Sequence, residues 1–173
     1  MRKIAIWGVL ALLALALAAV PALAATNFNN APSGAHYRQG SVEPVCTTST
    51  APNGTISVNC TGTQIAGVGN TNANLLLTIN AQANFVCHNP GNERIVEPHS
   101  GFVTDSTSTP LEPSRNGTLV VPATSVTLSP AEAGAQFSCP NPNWTEEFTG
   151  FSNVSYSYTL TFDGQTAPAI SLP

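Results

Sequence analysis

The chain carries little charge: five basic and nine acidic side chains make up only 8% of its 173 residues. Two of the basic residues, Arg2 and Lys3, stand at the start, and no lysine follows them. The remaining arginines are Arg38, Arg94 and Arg115. Three scattered cations cannot form a phosphate-binding surface, so the composition argues against nucleic acid as a partner.

Sequence motifs that carry catalysis are also missing. The chain has no G-x-S-x-G elbow, no S-x-x-K and no H-E-x-x-H. Its many serines do not indicate catalysis by themselves, because a serine nucleophile needs a nearby histidine and an orienting acid. The four cysteines contain no C-x-x-C pair, which argues against a tetrathiolate metal site. We therefore expect no enzyme and no cofactor, and keep a secreted hydrolase only as a third hypothesis.

The longest apolar run lies near the N-terminus. Arg2 and Lys3 precede the apolar residues 4–20, and residues 22–24 read Ala-Leu-Ala, the small-residue pattern of a cleavage site. This order predicts a signal peptide over residues 1–24 and a secreted, extracellular protein with no membrane attachment after cleavage. The alternative is a retained membrane anchor, because the run is at the lower length limit for crossing a bilayer.

Uncharged polar residues replace the missing charges. Thr, Ser and Asn number 20, 15 and 16 beyond residue 24, and these residues suit turns and solvated strand faces better than helix interiors. Apolar and polar residues alternate along the chain, most clearly at 75–87 and 154–162. The pattern predicts an all-β protein: an antiparallel, immunoglobulin-like β-sandwich of about seven strands, with a small barrel as the alternative.

The same patterns divide the chain into three segments. The signal peptide occupies residues 1–24, and residues 25–45 show the period of neither a strand nor a helix. We therefore expect 25–45 to be a flexible lead-in. Alternation begins beyond it, so residues 46–173 are predicted to form one β-sandwich domain, as the length of the chain also indicates.

Four cysteines in an exported chain predict two disulfides, for which three connectivities exist. The sequence Pro-Asn-Gly at 52–54 reads as a hairpin loop, and Cys46 and Cys60 lie at equal distances on either side of it. These two cysteines would face each other across two strands. Cys87 then pairs with Cys139, closing a longer loop that stabilises the fold by roughly 4 kcal/mol on a chain-entropy argument.

One cluster has metal-ligand chemistry. His88, Glu97 and His99 lie close together in the sequence, and imidazole with carboxylate suits zinc or copper. Glu97 and His99 are two residues apart, so on an extended segment both point the same way. A polar loop between strands explains the same residues, so we predict no metal site and keep these three as candidates only.

A second candidate is a contact site for sugar. Glu146 and Glu147 are adjacent, so on a strand they face opposite ways and cannot act together as a glycosidase pair. With Trp144 they could border a sugar-binding patch, in which the ring stacks on a sugar and carboxylates accept hydroxyl hydrogen bonds. Packing of Trp144 inside the sandwich is the alternative.

Four stretches carry a resemblance to known proteins: Asn-Cys-Thr-Gly-Thr at 59–63, Gly-Val-Gly-Asn at 67–70, Cys-His-Asn-Pro-Gly-Asn at 87–92, and Cys-Pro-Asn-Pro-Asn-Trp-Thr at 139–145. Over roughly residues 55 to 165 the chain resembles small secreted, disulfide-containing β-sandwich proteins of filamentous high-GC Gram-positive bacteria. The resemblance implies export and a β-sandwich. No activity is assigned to that group, so no functional residue carries over.

These observations lead to a hypothesis about function. We expect a non-enzymatic secreted protein that acts by surface contact, as a cell-envelope, matrix or adhesion component. Strand faces lined by Ser, Thr and Asn suit hydrogen bonding to a cell-surface polymer or packing between copies of the chain. The alternative is an extracellular carbohydrate- or metal-binding module.

Overall fold

A computed structural model describes residues 25–91 and 94–173, without the side chains of 25 and 94–97. The predicted signal peptide, residues 1–24, lies outside the described residues. The described chain is all-β, with one short helix, α1 (Pro130–Gly134), and one 3-10 turn (Phe28–Asn30). Its eleven strands are β1 (Ala25–Thr26), β2 (His36–Tyr37), β3 (Cys46–Thr50), β4 (Ile56–Cys60), β5 (Thr63–Ala66), β6 (Ala73–Asn89), β7 (Arg94–Leu111), β8 (Leu119–Val121), β9 (Thr124–Leu128), β10 (Thr145–Phe162) and β11 (Ile170–Leu172).

These strands form three antiparallel sheets. The largest has the order β1-β11-β10-β6-β7, and two smaller ones have the orders β2-β5-β8 and β3-β4-β9. The prediction of about seven strands is too low for the described residues. The reason is length: β1 and β2 have two residues each, and β8 and β11 have three. So short a strand cannot show an alternating pattern.

Three strands dominate the molecule. β6, β7 and β10 have 17, 18 and 18 residues, far above the usual five or six, and at 3.3 Å per residue each spans about 55 Å. The polar loop expected to contain His88, Glu97 and His99 is wrong in part, because His88 lies on β6 and the backbone from Arg94 onward pairs with β6 as a strand. Pro98 is tolerated there because β7 is the edge of its sheet.

Alternation along β6 separates two faces of the large sheet. Leu75, Leu77, Ile79 and Ala81 are each at most 1% exposed. The small sheet β3-β4-β9 lies against them, since β9 contacts both β6 and β7. Its inward residues, such as Val58, are equally buried. We call the region where the two sheets face each other the sandwich half.

The long strands extend beyond the small sheet, and there the segment 129–144 covers their inner side. α1 contacts β10 and is capped at its N-terminus by Ser129, whose hydroxyl and backbone N–H both donate to the Glu132 carboxylate. These bonds lower the pKa of Glu132. Further on, the Phe137 ring lies 5.0 Å from that of Phe85, centroid to centroid. We call this region the capped half.

Residues 25–45 are folded onto the sandwich, contrary to the flexible lead-in expected from the sequence. β1 pairs with β11 and β2 pairs with β5. Tyr37 and Thr26 are joined by a hydroxyl hydrogen bond of 2.7 Å, and Thr26 donates to the Glu43 carboxylate. A hydroxyl has one hydrogen, so Tyr37 must be the donor to Thr26. Two-residue pairings and side-chain bonds leave no period in a sequence, which is why they were missed.

Both predicted disulfides are confirmed. Cys46 and Cys60 are direct partners in the β3-β4 hairpin, with Cα atoms 4.0 Å apart. Cys87 and Cys139 have Cα atoms 5.9 Å apart and are separated by 52 residues in sequence. The second bond attaches the covering segment to β6, so it holds the capped half together.

Candidate functional site

The side of β6, β7 and β10 opposite the core is a surface that we call the outer face. Each of the six outward residues of β6 between Asn74 and Asn84 has one partner on β7 and one on β10, and we call each such set of three a row. The six rows contain eighteen outward positions. None of the eighteen is charged. They are Asn74, Leu76, Thr78, Asn80, Gln82 and Asn84 on β6, Ser100, Phe102, Thr104, Ser106, Ser108 and Pro110 on β7, and Gly150, Ser152, Ser155, Ser157, Thr159 and Thr161 on β10.

Hydrogen bonds between neighbouring strands order the polar side chains of this face. The bonds run between side chains of adjacent strands, so they favour one orientation of the amide and hydroxyl groups. The pairs are Ser108 to Asn74 at 3.1 Å, Thr104 to Asn80 at 2.7 Å, Gln82 to Ser100 at 2.8 Å, Asn84 to Ser152 at 3.0 Å and Asn153 to Gln82 at 2.8 Å, donor first. The face is therefore preordered for contact.

One row of the outer face differs from the others. Phe102, Gln82 and Ser152 are partners across the three strands, and the Phe102 side chain is 78% exposed. Beside Ser152 the register of β10 shifts, and Asn153 and Val154 together stand opposite the single residue Ala81. Asn153 has φ +51°, the only positive value at a non-glycine residue in the described chain. Such backbone strain is concentrated at functional sites.

Beyond these six rows the outer face ends in a histidine–carboxylate pair. His88 Nε2 and Glu147 Oε2 lie 2.6 Å apart on neighbouring strands. Both side chains are accessible, at 28% and 63%, so solvent screens the pair and it adds little to stability. The pair marks where the uncharged surface stops.

The predicted metal candidates are not brought together. His88 lies on the outer face beside Glu147, whereas His99 is the partner of Phe85 and lines a pocket on the inner side of the sheet. The side chain of Glu97 lies outside the described residues. Within the described part of the chain, no three His, Cys, Asp or Glu side chains come close enough to hold a metal.

The predicted sugar patch is also divided between two faces. Glu146 is opposite Cys87 and lines the inner pocket, while Glu147 is on the outer face, as adjacent positions on a strand require. The Trp144 side chain is half-buried. The inner pocket holds about 120 Å³, well below the 300 Å³ or more of ordinary ligand sites. These residues do not form one surface for a sugar.

Reasoning from the sequence missed the residues that the structure brings together. Phe102 follows Gly101 in a region of Ser and Thr, where the sequence gives only a weak strand pattern and no information about the neighbouring strands. The only available clue was an aromatic residue in a weak, polar strand. Its row with Gln82 and Asn153 depends on the register of three strands, which sequence periodicity does not provide.

Comparisons of this chain with models of protein families, with curated proteins and with solved structures found no match. Among the residues that the structure describes, no helix has the length and apolar character needed to cross a membrane. The candidate site is therefore defined by its geometry and chemistry.

Proposed function

We propose that this chain is a non-enzymatic, exported protein that acts by surface contact, as a component of a cell envelope, a matrix or an adhesion surface. The observation that supports the proposal is the outer face, whose eighteen outward positions lack charge. Those on β7 are all exposed. Hydroxyl and amide groups can exchange water for hydrogen bonds to a polymer or to another copy without an ionic partner.

Export is part of this proposal. Two disulfides support it, because disulfides persist mainly in oxidising compartments. The pattern of residues 1–24 supports it as well, by its basic start, apolar run and Ala-Leu-Ala site. The immunoglobulin-like arrangement and the resemblance to secreted bacterial β-sandwich proteins stay predictions of the sequence.

The test uses the mature chain, residues 25–173. We expect it to sediment with isolated cell walls or with polysaccharide, or to form assemblies visible in sedimentation velocity and electron microscopy. Since the face is uncharged, contact should persist when salt is raised from 0.05 to about 0.5 M. A chain that is strictly monomeric and binds neither cells nor polymer would contradict the proposal.

A pair of matched variants assigns the contact to the outer face. Ser106→Glu places one charge at an exposed outer-face position of β7. Thr48→Glu makes the same kind of change at an exposed position of β3, in a different sheet. We expect Ser106→Glu to weaken contact and Thr48→Glu to leave it unchanged. A carboxylate on the outer face would be desolvated on contact without gaining a cationic partner.

A further inference from the structure

We infer that the row through Phe102 is a binding site for an uncharged polysaccharide; this inference rests on the proposed function and names its partner. We call the site the Phe102 row. Its members are Phe102, Ser100, Gln82 and Asn153. Together they offer one accessible aromatic ring, two amides and a hydroxyl.

The aromatic ring supplies the apolar part of the site. Phe102 is on the outer face of an edge strand and is 78% exposed. Strands lie about 4.8 Å apart, so the row reaches about 10 Å across β7, β6 and β10. A pyranose ring has an apolar side of C–H groups, which packs on an aromatic face.

The amides supply the polar part. Asn153 Nδ2 donates to Gln82 Oε1 at 2.8 Å, and Gln82 Nε2 donates to Ser100 Oγ at 2.8 Å. These bonds connect the two amides and the hydroxyl into one chain of hydrogen bonds. An amide has two N–H donors and two acceptor positions. Gln82 and Asn153 therefore each keep at least one donor and one acceptor for hydrogen bonds to sugar hydroxyls. Because the groups are already ordered, binding loses less side-chain entropy.

Other classes of partner fit these residues less well. Nucleic acid and anionic polymers require cations, and the eighteen outer-face positions contain none. A stable protein interface has a buried apolar centre with several aromatic or Arg anchors, whereas this face has one Phe among hydroxyls and amides. A neutral polymer that carries many hydroxyl groups matches both the absence of cations and the single aromatic ring among polar groups.

The first experiment measures pelleting of the mature chain with insoluble cellulose, chitin and starch, at low and high salt. We expect binding to at least one of these neutral polymers and no binding to soluble polygalacturonate by affinity electrophoresis. Phe102→Ala should weaken binding about tenfold or more, because it removes the stacking surface. Phe102→Trp, which keeps an aromatic ring, should retain it.

Two further variants separate the contact from changes in the fold. Asn153→Gly removes the amide while glycine accepts the same positive φ, and a several-fold loss is expected for one ligand hydrogen bond. Val120→Ala is the matched control, since Val120 is 56% exposed and lies on β8 in another sheet. Thermal unfolding should stay unchanged in Phe102→Ala, because the ring is exposed.

The outcomes distinguish this site from the proposed function. If the chain binds polymer and Phe102→Ala binds equally well, the Phe102 row is wrong and surface contact stands. If the chain binds no polymer but self-associates through Phe102, the sugar partner is wrong and surface contact again stands. If it binds no polymer and no cells and remains monomeric, both are wrong.

Discussion

The two halves of the long sheet are covered in different ways. In the sandwich half, the inward residues of β6 are aliphatic, and a second sheet covers them. In the capped half, Phe85 meets the rings of Phe137 and Phe148 at 5.0 and 5.4 Å, and a disulfide attaches the cover. A sheet longer than its partner needs another cover for its inner face. Here the segment 129–144 supplies that cover, with the Phe137 ring and a covalent bond at Cys139.

The largest difference between the two halves should appear when the Cys87–Cys139 disulfide is removed. The double variant Cys87→Ser and Cys139→Ser lacks the bond that joins residues 52 positions apart in the capped half. On the chain-entropy argument, its loss lowers the free energy of unfolding by about 4 kcal/mol. We expect amide hydrogen exchange at Phe85 and its neighbours to accelerate while Leu77 stays protected. Equal acceleration in both halves would show that they open as one unit.

The control for that variant is the other disulfide. Cys46→Ser with Cys60→Ser removes a bond with a separation of only 14 residues, worth about 3 kcal/mol on the same argument. It lies within the β3-β4 hairpin, so its loss should leave hydrogen exchange in the capped half almost unchanged.

Truncation in the sandwich half should act on the whole domain instead. Leu77 is fully buried, and Leu77→Ala is expected to cost about 3 kcal/mol of unfolding free energy through lost burial and a cavity. Leu76 is the neighbouring leucine on the outer face, and Leu76→Ala should cost less than about 1 kcal/mol. Denaturant unfolding measures both, and similar losses would contradict the assignment of the two faces.

A smaller effect should mark the close contact beneath the cap. A Cβ atom at Gly101 would lie 2.0 Å from the Phe137 ring, so Gly101→Ala must displace that ring. We expect a loss of about 1 to 3 kcal/mol. In a Phe137→Leu background the same change should cost less, and a double-mutant cycle measures the difference. A cycle with no coupling would show that the two residues do not meet.

The sequence was sufficient to predict β6 in the sandwich half and insufficient for the capped half. Residues such as Leu75, Leu77 and Ile79 lie between polar neighbours, and this period of two predicted β6 directly. The disulfides followed from the symmetry of Cys46 and Cys60 about one turn. In the capped half, Phe137 lies in a short irregular segment without a period, so its contact with Phe85 depends on tertiary structure alone.

The same limit applies to the candidate site. Glu146 and Glu147 were correctly expected to point opposite ways, because that follows from strand geometry. The Phe102 row required the pairing of three strands and a bulge at Asn153. Strand register is set by contacts between distant segments, and it was therefore beyond sequence periodicity.

The smallest effect concerns a buried hydroxyl in the sandwich half. Tyr158 is fully buried, and its hydroxyl has no hydrogen-bond partner among the described residues. An unsatisfied buried polar group is unfavourable, so Tyr158→Phe should raise the unfolding free energy by about 1 kcal/mol. A loss of stability in chemical denaturation would instead show that the hydroxyl binds water.

The pH dependence of stability provides a second readout for the same residue. Burial, followed by the nearby Tyr37, raises the pKa of Tyr158 above the ordinary value of 10.0, and burial is also the main cause that raises the pKa of Tyr37. Above about pH 10 the unfolded chain therefore loses these protons first, and the folded state loses stability as the pH rises. The free energy of unfolding should fall less steeply with pH in Tyr158→Phe than in the wild-type protein. It should fall still less steeply in the double variant that also carries Tyr37→Phe. If the wild-type protein is equally stable at pH 9 and pH 11, the fold desolvates neither phenol, and the expected burial of Tyr158 and Tyr37 is wrong.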